Sequence, residues 1–94
     1  MGLVMKITEI QILPVDDAKL KAYVTIVLDG CFVVRDLKII QGVSFLFVAM
    51  PSRRRKDGTF KDIAHPVNQQ TREEMESQIL AAYEDRVRAA PAQD

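Results

Sequence analysis

A strict alternation of side chains over residues 20–28 is the feature that most limits the folds open to this chain. Apolar side chains occupy every second position from Leu20 to Leu28, and a period of two is typical of a β-strand with one buried face. Asp29 and Gly30 follow at once, and this pair tolerates the positive φ angles of a two-residue hairpin turn. The sequence therefore predicts an antiparallel hairpin whose second strand covers residues 31–40.

Three further segments favour strands. Residues 6–13 show one break in their alternation, which is typical of a β-bulge. Residues 45–50 are apolar on both faces, so we expect that strand to lie at the centre of the packing. Residues 60–63 predict a short return strand after a turn. Simple alternation divides the apolar residues of strand 31–40 into two faces: Val33, Leu37 and Ile39 on one, and Phe32, Val34 and Ile40 on the other.

A C-terminal helix is expected to pack on this sheet. Thr71-Arg72-Glu73-Glu74 fits a capping box, in which threonine and glutamate side chains satisfy free backbone amides. We expect Glu76 to point outward with the other acids of the helix. An apolar stripe follows at steps of three and four residues, and it consists of Met75, Ile79, Ala82, Tyr83 and Val87. The predicted class is α+β: an antiparallel sheet of four to five strands with one C-terminal helix.

The length of 94 residues predicts one domain over residues 1–88, with 1–4 as a candidate extension and 89–94 as a disordered tail. No apolar run approaches the roughly 20 residues of a membrane-spanning helix, and no secretory signal is recognisable. We therefore expect a cytoplasmic protein without membrane insertion. The single Cys31 excludes an internal disulfide and a Cys-based metal site, and we expect it to be partly buried.

Positive charge is concentrated in residues 51–61, although the whole chain has a formal net charge of zero. Five basic residues and one acid, Asp57, give this segment a charge of +4. Pro51 ends the preceding apolar run, and Asp57-Gly58 predicts a tight hairpin turn centred on that pair. Two interpretations are open: a solvated loop that keeps the protein soluble, or a site for a polyanion, of which nucleic acid is the commonest. The basic residues are Arg53, Arg54, Arg55, Lys56 and Lys61.

A nucleic-acid site would use these cations for phosphate contacts and would use a loop arginine or the start of the helix for base contacts. The basic residues would neutralise phosphates with release of counterions. Base contacts would come from an arginine of the loop or from Gln69, Gln70 and Arg72. Phe60 is a candidate to stack on an unpaired base, although its strand context favours a place in the core.

Catalysis finds little support in the sequence. His65 is the sole histidine and precedes a proline, which suits a hydrogen-bonded structural or ligand-contacting role better than proton transfer. We interpret Asp57 and Asp62 as a turn former and a local counter-charge. No dinucleotide fingerprint, phosphate-binding loop or metal-ligand spacing occurs in the sequence. We expect a protein that is not an enzyme and uses no cofactor.

Several motifs together resemble the SpoVG family (stage V sporulation protein G) over roughly residues 5–83. They are Met5-Lys6-Ile7-Thr8, Leu28-Asp29, Phe32-Val33-Val34, Leu46-Phe47-Val48-Ala49-Met50-Pro51-Ser52, Asp57-Gly58, Asp62-Ile63-Ala64-His65-Pro66 and Asn68. The resemblance implies a small α+β fold, a homodimer that shares a strand between subunits, and site-selective binding of DNA and RNA. It also implies a regulator of gene expression linked to septum placement and, in spore formers, to sporulation.

The resemblance also assigns residues. The family's basic pair after Pro-Ser corresponds to Arg53 and Arg54, and its basic residue after the Asp-Gly turn corresponds to Lys61. Selectivity is associated with the region that here reads Gln69-Gln70-Thr71-Arg72. Two departures stand out: Arg55 and Lys56 replace a threonine and a proline, and Phe45 stands where a glycine is common. We expect the first departure to strengthen non-specific phosphate binding and the second to alter the turn before the fourth strand.

Two hypotheses from different classes follow. The leading one is a non-enzymatic, dimeric DNA- and RNA-binding regulator that holds phosphates with its basic hairpin. The alternative is a protein-interaction module that acts on division or regulatory partners, with the hairpin docked on an acidic protein surface.

Overall fold

The computed structural model describes residues 5–89, which form an antiparallel sheet, a small second sheet and one helix. The predicted α+β class and the C-terminal helix are confirmed. The strands are β1 (Ile7–Pro14), β2 (Leu20–Leu28), β3 (Phe32–Gln41), β4 (Leu46–Ala49), β5 (Ser52–Arg54) and β6 (Phe60–Asp62), followed by α1 (Gln69–Ala89). The first four strands make one sheet in the order β1-β2-β3-β4, and β5 pairs with β6 in a separate ribbon.

The hairpin β2–β3 forms where it was expected, with a longer connection. Asp29 and Gly30 both have positive φ, 52° and 67°, and the Cys31 amide donates to the Leu28 carbonyl at 3.0 Å. Leu28 pairs with Phe32, so three residues rather than two connect the strands. Cys31 lies in this turn and is exposed, so the expectation of partial burial was wrong.

A bulge in β3 changes which residues face the core. Val24 pairs with Leu37 and Ile26 pairs with Val34, so two residues of β3 oppose the single residue between Val24 and Ile26. One of the two, Asp36, has a φ of 66°. The extra residue shifts the alternation by one position. Val34 and Leu37 therefore share the core side, and the expected grouping of Val33 with Leu37 was wrong.

The bulge predicted in the first strand is confirmed between Ile7 and Glu9. It has the same effect as the bulge in β3, because it keeps Ile7, Ile10 and Ile12 together against the core. The core lies between one face of the sheet and α1. Its buried members are Ala22, Val24, Ile26, Leu28, Leu37, Ile39, Val48, Met50 and Ile79.

The helix packs on the sheet through most of the predicted stripe, with two differences. Ile79 is fully buried, and Met75 and Tyr83 pack against the core, as does Leu80, which the predicted stripe did not include. Val87, also assigned to the stripe, is exposed. No helix among the described residues combines the length and apolar character needed to cross a membrane.

Strand β4 lies at the edge of the sheet, so its expected central position was wrong. It pairs only with β3 within the described residues, and Phe47 on its outer face is exposed. Glu76 of α1, expected to point outward, is half-buried and accepts a hydrogen bond from the Val48 amide at 2.9 Å. The carboxylate thus satisfies a backbone donor of the edge strand and ties it to the helix.

The helix begins two residues before the predicted capping threonine. Asn68 is the capping residue: its Oδ1 accepts from the Thr71 amide at 2.7 Å, and its carbonyl accepts from the Arg72 amide at 3.2 Å. Asparagine and threonine are both good caps, so the first suitable residue after the Pro66 segment takes the role. The predicted extension at 1–4 and tail at 89–94 lie outside the described residues, apart from Ala89, which ends α1.

Candidate nucleic-acid interface

The basic segment forms a hairpin whose base is fixed to the domain. Pro51 is buried, and its carbonyl accepts a hydrogen bond from the Ile63 amide at 2.7 Å. From that point β5 and β6 run antiparallel, and every residue from 52 to 62 is exposed. The hairpin therefore projects from an anchored base into solvent.

The turn at the tip of the hairpin uses the predicted residues in a different arrangement. The Arg55 amide donates to the Thr59 carbonyl at 2.7 Å, and the Gly58 amide donates to the Arg55 carbonyl at 3.0 Å. Lys56 and Asp57 are therefore the central turn residues, and Gly58 follows with a φ of 91°. This is a three-residue loop that ends in a left-handed glycine, rather than a turn centred on Asp57-Gly58.

Asp57 stabilises this turn from within. Its Oδ1 accepts from the Thr59 hydroxyl at 2.7 Å and from the Thr59 amide at 2.9 Å. The hydroxyl and then the amide lower the pKa of this carboxyl below its ordinary value of 3.8, because both donors favour the charged form. Asp57 therefore has the turn-forming role that the sequence predicted for it.

The two faces of the hairpin carry different chemistry. Arg53 pairs directly with Lys61, and both line a shallow depression with Arg55, Asp62 and Ile63. Like charges placed opposite each other across a strand pair are destabilising. The arrangement is therefore poorly explained by stability and is suited to an external anion.

The opposite face combines an arginine with an aromatic ring, because Arg54 pairs with Phe60. Phe60 is 69% exposed, so the expectation of a core position was wrong. A signal for this exposure was present in the sequence: the partner strand, Ser52-Arg53-Arg54, has no apolar residue. A ribbon with one such strand has no apolar face to bury.

The cations of the hairpin form no ion pairs with acids of the described residues. Between residues 5 and 89 a single ion pair lies within 4.0 Å, and it joins Arg88 to Asp85 in α1. Asp62, interpreted as a local counter-charge, forms no ion pair within that distance in the same region. Five basic side chains of the hairpin are thus exposed, three in the paired strands and two at the turn: Arg53, Arg54 and Lys61, then Arg55 and Lys56.

The helix-start residues follow the hairpin in the chain and lie in the first turn of α1. The Gln69 amide nitrogen Nε2 donates to Glu73 Oε2 at 3.0 Å, Gln70 is exposed and Arg72 is half-buried. No hydrogen bond in the described part of the chain joins these side chains to the ribbon. The two groups are linked through residues 63–68, so a ligand that contacts both must bridge them.

His65 lies within this link. Its Nδ1 is 2.9 Å from the Pro66 carbonyl oxygen and acts as the donor in the tautomer that carries a proton there. The residue lines an apolar groove of about 170 Å³ with Phe32, Met50 and Met75. Among residues 5–89 no three metal-ligating side chains cluster.

The fold and this surface define a class: a small α+β domain that presents a cationic β-hairpin ahead of its C-terminal helix in the chain. The family model described as SpoVG matches residues 5–85. The chain belongs to the SpoVG family, as the sequence resemblance predicted.

Relatives in several bacteria support this assignment, each under the name "Putative septation protein SpoVG". The relative in Anaeromyxobacter sp. (strain Fw109-5) is 64% identical over 88 residues, covering 94% of this chain and 91% of the relative. That in Bdellovibrio bacteriovorus is 61% identical over 85 residues, covering 90% and 79%. That in Clostridium acetobutylicum is 52% identical over 81 residues, covering 85% of each chain.

Proposed function

We propose that this protein is a site-selective DNA- and RNA-binding regulator that holds phosphates with the hairpin β5–β6. The observation that carries the proposal is the direct pairing of Arg53 with Lys61 on an exposed ribbon. No carboxylate of the described residues pairs with either cation. Binding of phosphates to such a surface is favourable, because it releases the counterions condensed on the nucleic acid.

The family supports a role in cell division. The relatives' names describe septation proteins, and we extend that role to this chain as control of gene expression that affects septum formation, with sporulation added only in spore formers. We place the protein in the cytoplasm as a homodimer, in which two hairpins would double the phosphate contacts. It needs no cofactor and no catalytic residue for this role.

Affinity and selectivity would come from different residues. Arg53, Arg54, Arg55, Lys56 and Lys61 neutralise phosphates, which any sequence offers. Gln69, Gln70 and Arg72 lie in the first turn of α1 and would contact base edges. Since no hydrogen bond among the described residues joins the two groups, substitutions at the helix start should change sequence preference with little effect on the salt dependence.

The proposal is tested by titrating labelled random duplex, single-stranded DNA and RNA at several salt concentrations. With about four to six phosphates neutralised, log affinity should fall with log salt at a slope near −4 to −5. Replacing Arg53, Arg54 and Arg55 together by alanine should reduce both the affinity and the slope. The matched control replaces Lys6, Lys19 and Arg86, which are exposed cations outside the hairpin, and should leave both nearly unchanged.

A flat salt dependence, or equal effects of the two triple variants, would contradict phosphate binding by the hairpin. The alternative of a protein-interaction module predicts that partners captured from a lysate persist after nuclease treatment. Nucleic-acid binding predicts that they are lost.

A further inference from the structure

The aromatic face of the hairpin raises a question that phosphate binding leaves unanswered. The Phe60 side chain is 69% exposed, and it lies opposite Arg54 in the strand pair nearest the turn. An exposed aromatic ring contributes nothing to the core. Its position on the most cationic element of the chain points to a ligand that offers both phosphate and apolar surface.

Duplex and single-stranded nucleic acids differ in how accessible their base faces are. In a duplex each base is covered above and below by its neighbours, so a protein in a groove meets mainly base edges. In a single strand the bases are free to stack on aromatic rings or on the planar guanidinium group of arginine. Phe60 and Arg54 provide one of each at directly paired positions.

The two faces of the ribbon also fit a flexible chain better than a stiff one. Arg53, Arg55 and Lys61 line one side, while the register places Arg54 and Phe60 on the other. A single strand can pass around the edge of a two-stranded ribbon with phosphates toward the first side and a base against the second. Duplex DNA, with a persistence length of about 150 bp, does not bend around so narrow an element.

We propose that Phe60 and Arg54 form a stacking site for one unpaired base, so that single-stranded nucleic acid is the preferred substrate class of this protein. This inference rests on the proposed function and deepens it. Phe60 supplies sequence-tolerant stacking, and the opposite face supplies the phosphate contacts. RNA and single-stranded DNA share the chemistry that is recognised, and both serve as probes.

The test compares Phe60→Leu with wild type by fluorescence anisotropy, using labelled single-stranded RNA, single-stranded DNA and duplex DNA of the same sequence. Leucine keeps an apolar side chain but removes the aromatic face. We expect about a tenfold loss of affinity for both single strands, with the duplex changed by less than about twofold. The slope of log affinity against log salt should stay the same, because no phosphate contact is removed.

Two further variants sharpen the result. Phe60→Tyr keeps the ring and should retain the affinity for single strands. Phe45→Leu is the matched control, because Phe45 is 68% exposed and lies before β4, outside the hairpin. Its affinities should match wild type.

Three outcomes would overturn the inference: no loss with Phe60→Leu, an equal loss on duplex, or an equal loss with Phe45→Leu. If the triple arginine variant still loses binding in those cases, the proposed function stands and only the stacking site fails. If wild type binds none of the three probes in a salt-dependent way, both proposals fail.

Discussion

The four-stranded sheet with α1 and the hairpin β5–β6 belong to one short chain but are built on opposite principles. Among the described residues, the nine buried residues of the hydrophobic core belong to the sheet, to α1 or, as Met50, to the segment directly after β4. The paired strands of the hairpin contain no buried residue. Burial therefore holds the first region, whereas turn hydrogen bonds and an anchored base hold the second.

The difference shows that the hairpin tolerates more kinds of side chain than the core does. A core side chain is constrained by volume, because interiors are close-packed. A hairpin side chain that touches little is constrained mainly by what it binds. The pairing of Arg53 with Lys61 illustrates this freedom, since the same two charges would be costly in the sheet core.

The largest expected effect is on the free energy of unfolding. Leu37 is fully buried, so Leu37→Ala should destabilise the protein by about 2–5 kcal/mol. Phe60→Ala removes a larger group from the hairpin but should cost less than about 0.5 kcal/mol, because that ring is exposed. Urea unfolding at fixed protein concentration measures both. Equal costs would mean that the hairpin is part of the core, which would contradict the difference in burial between the two regions.

The next effect is local to the turn of the hairpin. Gly58 has a φ of 91°, and a Cβ there would meet nothing within 4 Å, so Gly58→Ala carries only backbone strain of about 1–2 kcal/mol. Hydrogen exchange at the Arg55 amide, which closes the turn, should speed up about 5- to 30-fold. Amides of β2 should keep their protection, as should Arg55 in Gly58→Asn, because asparagine tolerates positive φ. Faster exchange throughout the sheet would contradict an independent hairpin.

A smaller effect concerns the like charges of the ribbon. Arg53→Thr removes the repulsion with Lys61 and introduces a good strand former, so the free energy of unfolding should stay the same or rise by up to about 0.5 kcal/mol. The salt slope of nucleic-acid binding should become shallower by about 0.9. Arg54→Thr is the control, because its partner is Phe60 and no repulsion is relieved. A clear loss of stability in Arg53→Thr would show that Arg53 has a structural role.

The smallest effect is a pH dependence of the turn. The pKa of Asp57 is lowered, first by the Thr59 hydroxyl and then by the Thr59 amide. A lowered folded-state pKa contributes stability above the ordinary value of 3.8, and this contribution is lost as the pH falls through the folded value. The Thr59 amide resonance should therefore titrate with a midpoint below 3.8. In Asp57→Asn this transition should be absent; a midpoint above 3.8 would contradict the two hydrogen bonds.

Much of the fold followed from local patterns. Alternation located β2 at its observed bounds, and the Asp-Gly pairs located both turns. The bulge in β1 was visible as a broken alternation. The bulge in β3 was not, because apolar residues stand on both faces of that strand and its sequence fits two assignments. The capping residue was missed for a similar reason, since Asn68 and Thr71 are both suited to the role and only the path of the chain after Pro66 decides between them.

By itself the sequence determined the α+β class, the family, the concentration of positive charge and its place on a hairpin, because these depend on local propensity, composition and motif. Tertiary structure alone decided that β4 is an edge strand tied to Glu76, and that β5 and β6 pair with each other rather than with the sheet. The physical reason is that burial is a property of what packs against a residue. The same apolar residue type can be covered by another element or exposed to solvent, and the sequence does not distinguish the two cases.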